Sequence, residues 1–220
     1  LWTLSIDPKD EYSKKLDWVC ANINSWKRII YSEDLADYPS IQFGLETAIL
    51  DLQNGGRQIL FPSGFTKGHE SIIINGLVWM GDYQFMAQQI EEKIELGFNC
   101  IKLKIGAIDW EKEKMLLQNI RHRFPANKME IRVDANGAFT SEQVMNRLQF
   151  LADLEIHSIE QPILPGQLVL MADLCAKTPI PIALDEELIG IKTYLEKEAL
   201  IHQIKPQYII LKPSLLGGIK

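Results

Sequence analysis

The sequence predicts an α/β fold of parallel strands, a (β/α)8 barrel of the TIM type with six of its strands in this chain, and three observations predict it. From residue 71 onward, short apolar runs alternate with amphipathic stretches of 10 to 15 residues, the rhythm of right-handed βαβ units. Each run after the first carries an ionisable residue on its C-terminal side: Lys104, Asp134, Glu160, Asp185 and Lys212. Successive members of this set lie 25 to 30 residues apart, about one strand plus one helix, and packing alone does not place one charge in every unit. In a (β/α)8 barrel the C-terminal strand ends surround one mouth, and catalytic groups come from several of them.

The elements follow in order. Between Asp10 and Ile30, Tyr12, Leu16, Val19, Ile23 and Trp26 recur at three- and four-residue steps, the apolar stripe of a helix. A second helix is predicted over 40–53 with Phe43, Leu45, Ala48, Ile49 and Leu52 buried, and Asn54-Gly55-Gly56 as its stop. Residues 1–66 thus read as a small, mainly helical unit, and residues 67–220 as the partial barrel. Strands are predicted at 72–78, 99–105, 130–134, 158–160, 180–185 and 207–212, and helices at 82–96, 109–123, 141–154, 166–176 and 192–202. Gly97 and Pro125 stop the first two of these helices, Ser141 caps the third, and Pro162 and Pro213 close strands.

With 46% hydrophobic and 24% charged residues, the 220-residue chain has the composition of a globular protein with a substantial core. A net charge of -6 and the lack of a Lys/Arg run argue against a nucleic-acid or anionic membrane surface, which leaves a small molecule as the expected partner and a homo-oligomer open. Cys20, Cys100 and Cys175 are odd in number and show no metal-ligand spacing, so buried, reduced thiols in a cytoplasmic protein are expected. The longest apolar stretches fall short of the roughly 20 residues that span a bilayer. Because the chain opens on Leu1-Trp2-Thr3 rather than Met and ends soon after the sixth strand, a fragment of a longer protein is expected.

On a strand, Lys102 and Lys104 share one face while Ile101, Leu103 and Ile105 share the other. Alone, this is a half-exposed strand with a solvated lysine face. An eight-strand circle sets Lys104, on the second strand, opposite Lys212, on the sixth, with Asp134, Glu160 and Asp185 between them. Three converging carboxylates repel one another, and ionising all of them in a partly dry site is unfavourable without a cation. Ordinary ion pairs with the lysines are the competing reading, which the strand-end positions disfavour. Oxygen ligands without a neighbouring His or Cys favour a hard divalent ion, Mg2+ or, as the alternative, Mn2+. Such a metal beside opposed lysines suits removal of a proton α to a carboxylate. The carbon acid is weak and its enediolate carries two negative charges, so Lewis-acid stabilisation and a lysine of depressed pKa are both needed. Lys104 is the expected base, with Lys102 and the metal lowering its pKa.

The motifs Gly97-Phe98-Asn99-Cys100-Ile101-Lys102-Leu103-Lys104-Ile105-Gly106, Asp134-Ala135-Asn136-Gly137, Ile159-Glu160-Gln161-Pro162, Asp185-Glu186 and Lys212-Pro213 are individually weak. In this order and spacing they resemble the enolase superfamily, and within it the muconate-lactonising subgroup. That resemblance implies Asp134, Glu160 and Asp185 as metal ligands, Lys104 and Lys212 as the opposed acid–base pair, and Lys102 close to the substrate carboxylate. Asn136 and Glu186 are implied as contacts of substrate or supports of the ligands, and residues 1–66 as the helical remnant of an N-terminal α+β capping domain. His69, His122, His157 and His202 match no site of the family.

The run Ile74-Asn75-Gly76-Leu77-Val78-Trp79-Met80-Gly81 is most similar to the o-succinylbenzoate synthase branch, lyases that dehydrate a cyclohexadiene carboxylate in menaquinone synthesis. On that resemblance Lys104 removes the α-proton and protonates the departing hydroxyl, Lys212 stabilises the enediolate, and Trp79 and Met80 lie near the substrate. A dipeptide epimerase, an N-acylamino acid racemase or a muconate cycloisomerase would use the same groups, as isomerases. Outside the family, a Schiff-base aldolase with its lysine on the sixth strand and a non-catalytic remnant of the fold stay open.

Overall fold

The computed structural model describes residues 4–219; Leu1-Trp2-Thr3 and Lys220, which bear on the expectation of a fragment, lie outside the described residues. The chain separates into two compact units, one of Leu1–Ile72, Leu188–Ala199 and Leu211–Lys220, the other of Ile73–Glu187 and Leu200–Ile210.

In the first unit, helices α1 (Tyr12–Ala21), α2 (Trp26–Ile29) and α3 (Pro39–Gln53) gather around Val19, Ile29, Leu35, Ile41, Leu45 and Ile49, with Tyr12, Trp18 and Trp26 packed at the edge. The single helix expected from Asp10 to Ile30 is therefore broken, by a 3-10 turn at Ile23–Ser25, and Leu16 and Ile23 are exposed. Asn22 makes that break, its side-chain amide bonding back to Trp18 O at 2.9 Å. The buried face of α3 is also rotated from the expected one: Ala48 and Leu52 face solvent, and Ile41 and Leu50 are buried instead. Pro39 at its first turn and Asn54-Gly55-Gly56 after it bound this helix as composition demands.

The second unit is a six-stranded, all-parallel sheet in the sequential order β1 (Gly76–Val78), β2 (Cys100–Lys104), β3 (Glu130–Asp134), β4 (Ser158–Glu160), β5 (Ile182–Leu184) and β6 (Tyr208–Ile209). Between strands run α4 (Tyr83–Glu95), α5 (Trp110–Arg123), α6 (Val144–Asp153), α7 (Leu168–Lys177) and α8 (Tyr194–Ile204), the last of which belongs to the first unit up to Ala199, and α9 (Pro213–Leu216) follows in the first unit. Parallel strands joined by helical crossovers in unbroken neighbour order are the predicted barrel topology. Ile101, Leu103, Ile131, Val133, Ile159, Ile182 and Leu184 are fully buried on one side of the sheet, as are Met86, Leu117, Leu148 and Met171 among the helices. Each such side chain contributes about 1.5–3 kcal/mol, which makes this layer the main stabiliser of the unit.

Four further expectations are corrected. The strand predicted at 72–78 begins only at Gly76, and Ile72, Ile73 and Ile74 are exposed: β1 pairs with β2 from Gly76↔Ile101 onward, and nothing before Cys100 extends the ladder. The strand predicted at 207–212 stops at Ile209 because its partner, β5, is itself only three residues long. Ser141 does not cap α6; its hydroxyl bonds the Glu142 carboxylate, and the helix begins at Val144. Asp82 and Asp109, by contrast, cap α4 and α5 by accepting from the amides of Phe85 and Glu111. All three cysteines are free thiols, but Cys20 is exposed rather than buried. Among the described residues no helix is long and apolar enough to cross a membrane.

Candidate active site

The register of β2, β3 and β4 builds the site. Lys104 pairs with Asp134 and Asp134 with Glu160, so the last residues of three adjacent strands stand in one row on one face. Glu160 pairs in turn with Ala183, and Asp185, two residues further, returns to the same face one layer higher. The carboxylates of Asp134, Glu160 and Asp185 consequently converge within 4.8 Å of one another, all three buried.

Both lysines of β2 turn toward this cluster. Lys102 Nζ lies 2.5 Å from Glu160 Oε2 and 3.1 Å from Asp134 Oδ2; Lys104 Nζ donates to Asp134 Oδ2 at 2.6 Å and to Asn136 Oδ1 at 2.8 Å. Their side chains are only 17% and 12% exposed, so the solvated lysine face that the hexapeptide suggests in isolation is not formed. Asn136 takes a left-handed backbone (φ 44°) that brings its amide onto Asp134 Oδ1 at 3.1 Å. Its side chain then links Lys104 to Glu186, donating to Glu186 Oε1 at 2.8 Å. The other Glu186 oxygen is buried without a hydrogen-bond partner.

Burial pushes the Glu160 carboxyl up to about 7, against the hydrogen bond from Lys102 and with the help of Asp134's charge. Burial acts the same way on Asp134, but Lys104 and Lys102 outweigh it and hold this carboxyl below its ordinary value. For Lys102 burial favours the neutral amine, and Glu160 and Asp134 overcome it, so its pKa is raised and it stays a cation. Two acids in one dry cluster with pKa values driven apart mark a place where negative charge is concentrated beyond what its surroundings accept easily. Buried oxygens without a His or Cys donor are what a hard divalent cation requires, and the three carboxylates fit one.

Trp79, just after β1, stands with its ring 5.5 Å from Lys104 Nζ and half-exposed, its backbone amide and carbonyl both held by the Gln89 side chain at 3.0 Å. Gln89 carries no sequence signal for this clamp, since a glutamine on an exposed helix face is ordinary. Lys212 lies in the first unit, partly buried, three residues beyond β6, where its carbonyl accepts from Leu215 and Leu216 in the first turn of α9. Of the histidines, His69, His122 and His202 are exposed, and His157 bonds Ser158 Oγ and stacks on Tyr208.

Residues 85–220 match the enolase C-terminal domain-like family. The chain is 44% identical to an o-succinylbenzoate synthase of Desulfotalea psychrophila across 98% of its own length and 66% of that protein. It is 30% identical to an N-succinyl-L-Arg/Lys racemase of Bacillus cereus, over 82% of this chain and 48% of the relative. Among solved structures, MenC from Desulfotalea psychrophila superimposes with a TM-score of 0.83 at 42% identity, covering 98% of this chain and 68% of that one. The chain thus spans about half to two thirds of the length of these proteins.

Proposed function

Since this chain belongs to the enolase C-terminal domain-like family, we propose that it is part of an Mg2+-dependent o-succinylbenzoate synthase, a lyase that dehydrates a cyclohexadiene carboxylate. The observation that carries the reaction class is the buried triad of Asp134, Glu160 and Asp185 with Lys104 against it. Similarity along nearly the whole chain to the Desulfotalea synthase supports the substrate, and the lower, less extensive similarity to the racemase makes racemisation the weaker alternative. Residues 1–66 are assigned to the helical part of a capping domain and 67–220 to the barrel. Free thiols suit the reducing cytoplasm.

Asp134, Glu160 and Asp185 hold the cation, which when bound supplies Lewis-acid stabilisation of negative charge on the substrate carboxylate. Lys104 takes the proton α to that carboxylate; the C–H electron pair passes into the enediolate. It then returns a proton to the departing hydroxyl on the same face, the C–O bond breaks, a ring double bond forms and water leaves. Lys102, kept cationic by its two carboxylate partners, holds the substrate carboxylate. Lys212 stabilises the enediolate by its charge. Asn136 and Glu186 orient the Lys104 amine through the hydrogen-bonded link that joins them. Trp79 offers an aromatic wall beside the base.

The test is turnover by the full-length protein supplied with Mg2+: conversion of the cyclohexadiene carboxylate to o-succinylbenzoate is expected. Racemisation of N-succinylamino acids without this dehydration would overturn the substrate assignment. A pH dependence also follows. Protonated Glu160 cannot serve as a ligand, and its pKa lies at about 7. Mg2+ affinity, read by calorimetric titration, is therefore expected to rise about tenfold per pH unit below 7 and to level off above it. An affinity that does not change between pH 5.5 and 8 contradicts the placement of Glu160 in the coordination set.

A further inference from the structure

We propose that Gln161 holds the three carboxylate-bearing loops in register, a positioning role that rests on the reading of Asp134, Glu160 and Asp185 as a cation site. Gln161 directly follows Glu160 at the end of β4 and is fully buried. Its φ of 37° lies in the left-handed region that a glutamine rarely adopts, so the surroundings must impose it.

Those surroundings are the other two ligand loops. The Gln161 amide donates to Ala183 O in β5 at 2.9 Å, and its carbonyl accepts from Gly137 N, in the loop that leaves Asp134, at 2.7 Å. Side-chain Oε1 accepts from the amides of Asp185 and Glu187, both at 3.2 Å. Side-chain Nε2 donates to Ile163 O and to Glu187 Oε2, both at 3.0 Å. Glu187, itself buried, accepts on its remaining oxygen from Gly166 N at 2.7 Å, which closes the network on the loop after β4. Both donors and both acceptor positions of the carboxamide are thereby used.

One residue thus sits beside Glu160, bonds the amide of Asp185 and pins the backbone three residues past Asp134. Other side chains do not reproduce this. Asn is one methylene too short, and Met fills the volume but bonds nothing. Glu keeps an acceptor for the two amides yet sets an oxygen against Glu187 Oε2 and Ile163 O, where a donor is needed.

In the full-length protein, Gln161→Met is expected to weaken Mg2+ binding, measured by calorimetric titration well below the melting temperature, by about ten- to a hundredfold, the usual effect of losing an outer partner of a ligand. With no cation added, the amides of Asp185 and Glu187 are expected to lose protection from hydrogen exchange. Leu148→Ala removes a fully buried side chain from α6 and serves as the control: the melting temperature falls while Mg2+ affinity stays within about twofold. If Gln161→Met does not fold, Gln161→Glu is the second variant, with the same weakening expected. Wild-type affinity in the folded variant overturns the positioning role and leaves the cation site standing. A wild-type protein that binds no Mg2+ overturns both.

Discussion

Lys104→Ala in the full-length protein is expected to lower kcat by about a thousandfold or more, the upper range for loss of a positioned acid–base group, with little change in Mg2+ affinity. The two halves of this result separate a base from a structural cation. Lys104 Nζ is fixed between Asp134 and Asn136 at 2.6 and 2.8 Å, so its removal takes away the proposed base but no carboxylate of the triad. Truncating Lys104 also removes a competitor for Asp134, so the affinity is not expected to fall. Lys104→Arg sharpens the point. Guanidinium keeps the positive charge but does not deprotonate at any working pH, so this variant is expected to be as inactive as the alanine one. A Lys104→Arg enzyme with most of its activity would reduce Lys104 to an electrostatic role. Lys212→Ala is expected to fall by a comparable factor if its charge stabilises the enediolate, and borohydride trapping of substrate on Lys212 would instead favour the Schiff-base reading.

Asp134→Asn is expected to weaken Mg2+ binding by more than about a hundredfold and to destabilise the protein as well. The first effect exceeds that of losing an outer partner, because a proposed ligand itself is neutralised. The second arises because Asp134 is the shared partner of Lys102 and Lys104, and its neutral replacement leaves two poorly exposed ammonium groups with less compensation. Breaking such a buried pair from one side costs about 3–5 kcal/mol. Calorimetric titration reads the first effect and thermal denaturation the second. Unchanged Mg2+ affinity in a folded Asp134→Asn protein would remove Asp134 from the ligand set.

Much of the site is legible in the amino-acid sequence, because strand ends of a parallel barrel come together whatever the details of packing. Asp134 and Glu160 end their strands as predicted, and Asp185 follows its strand by one residue. The N-terminal, mainly helical part of the chain is less legible. A stripe such as Tyr12, Leu16, Val19, Ile23 and Trp26 looks continuous in sequence, yet Asn22 can bond its own helix and interrupt it. Ile72-Ile73-Ile74 has strong strand propensity and forms no strand, since propensity acts only where a neighbour offers hydrogen bonds.

Sequence alone determined the alternation of strand and helix, the parallel topology and the identity of the charges that gather at the strand ends, because these depend on local periodicity and on chain connectivity. Tertiary structure alone decided which charge meets which. Lys102 reaches Glu160 across 58 residues of chain, and Gln161 reaches Asp185 and Gly137, through strand register and stagger. A shift of one residue in that register would turn every one of these side chains to the opposite face, and no local pattern in the sequence records it.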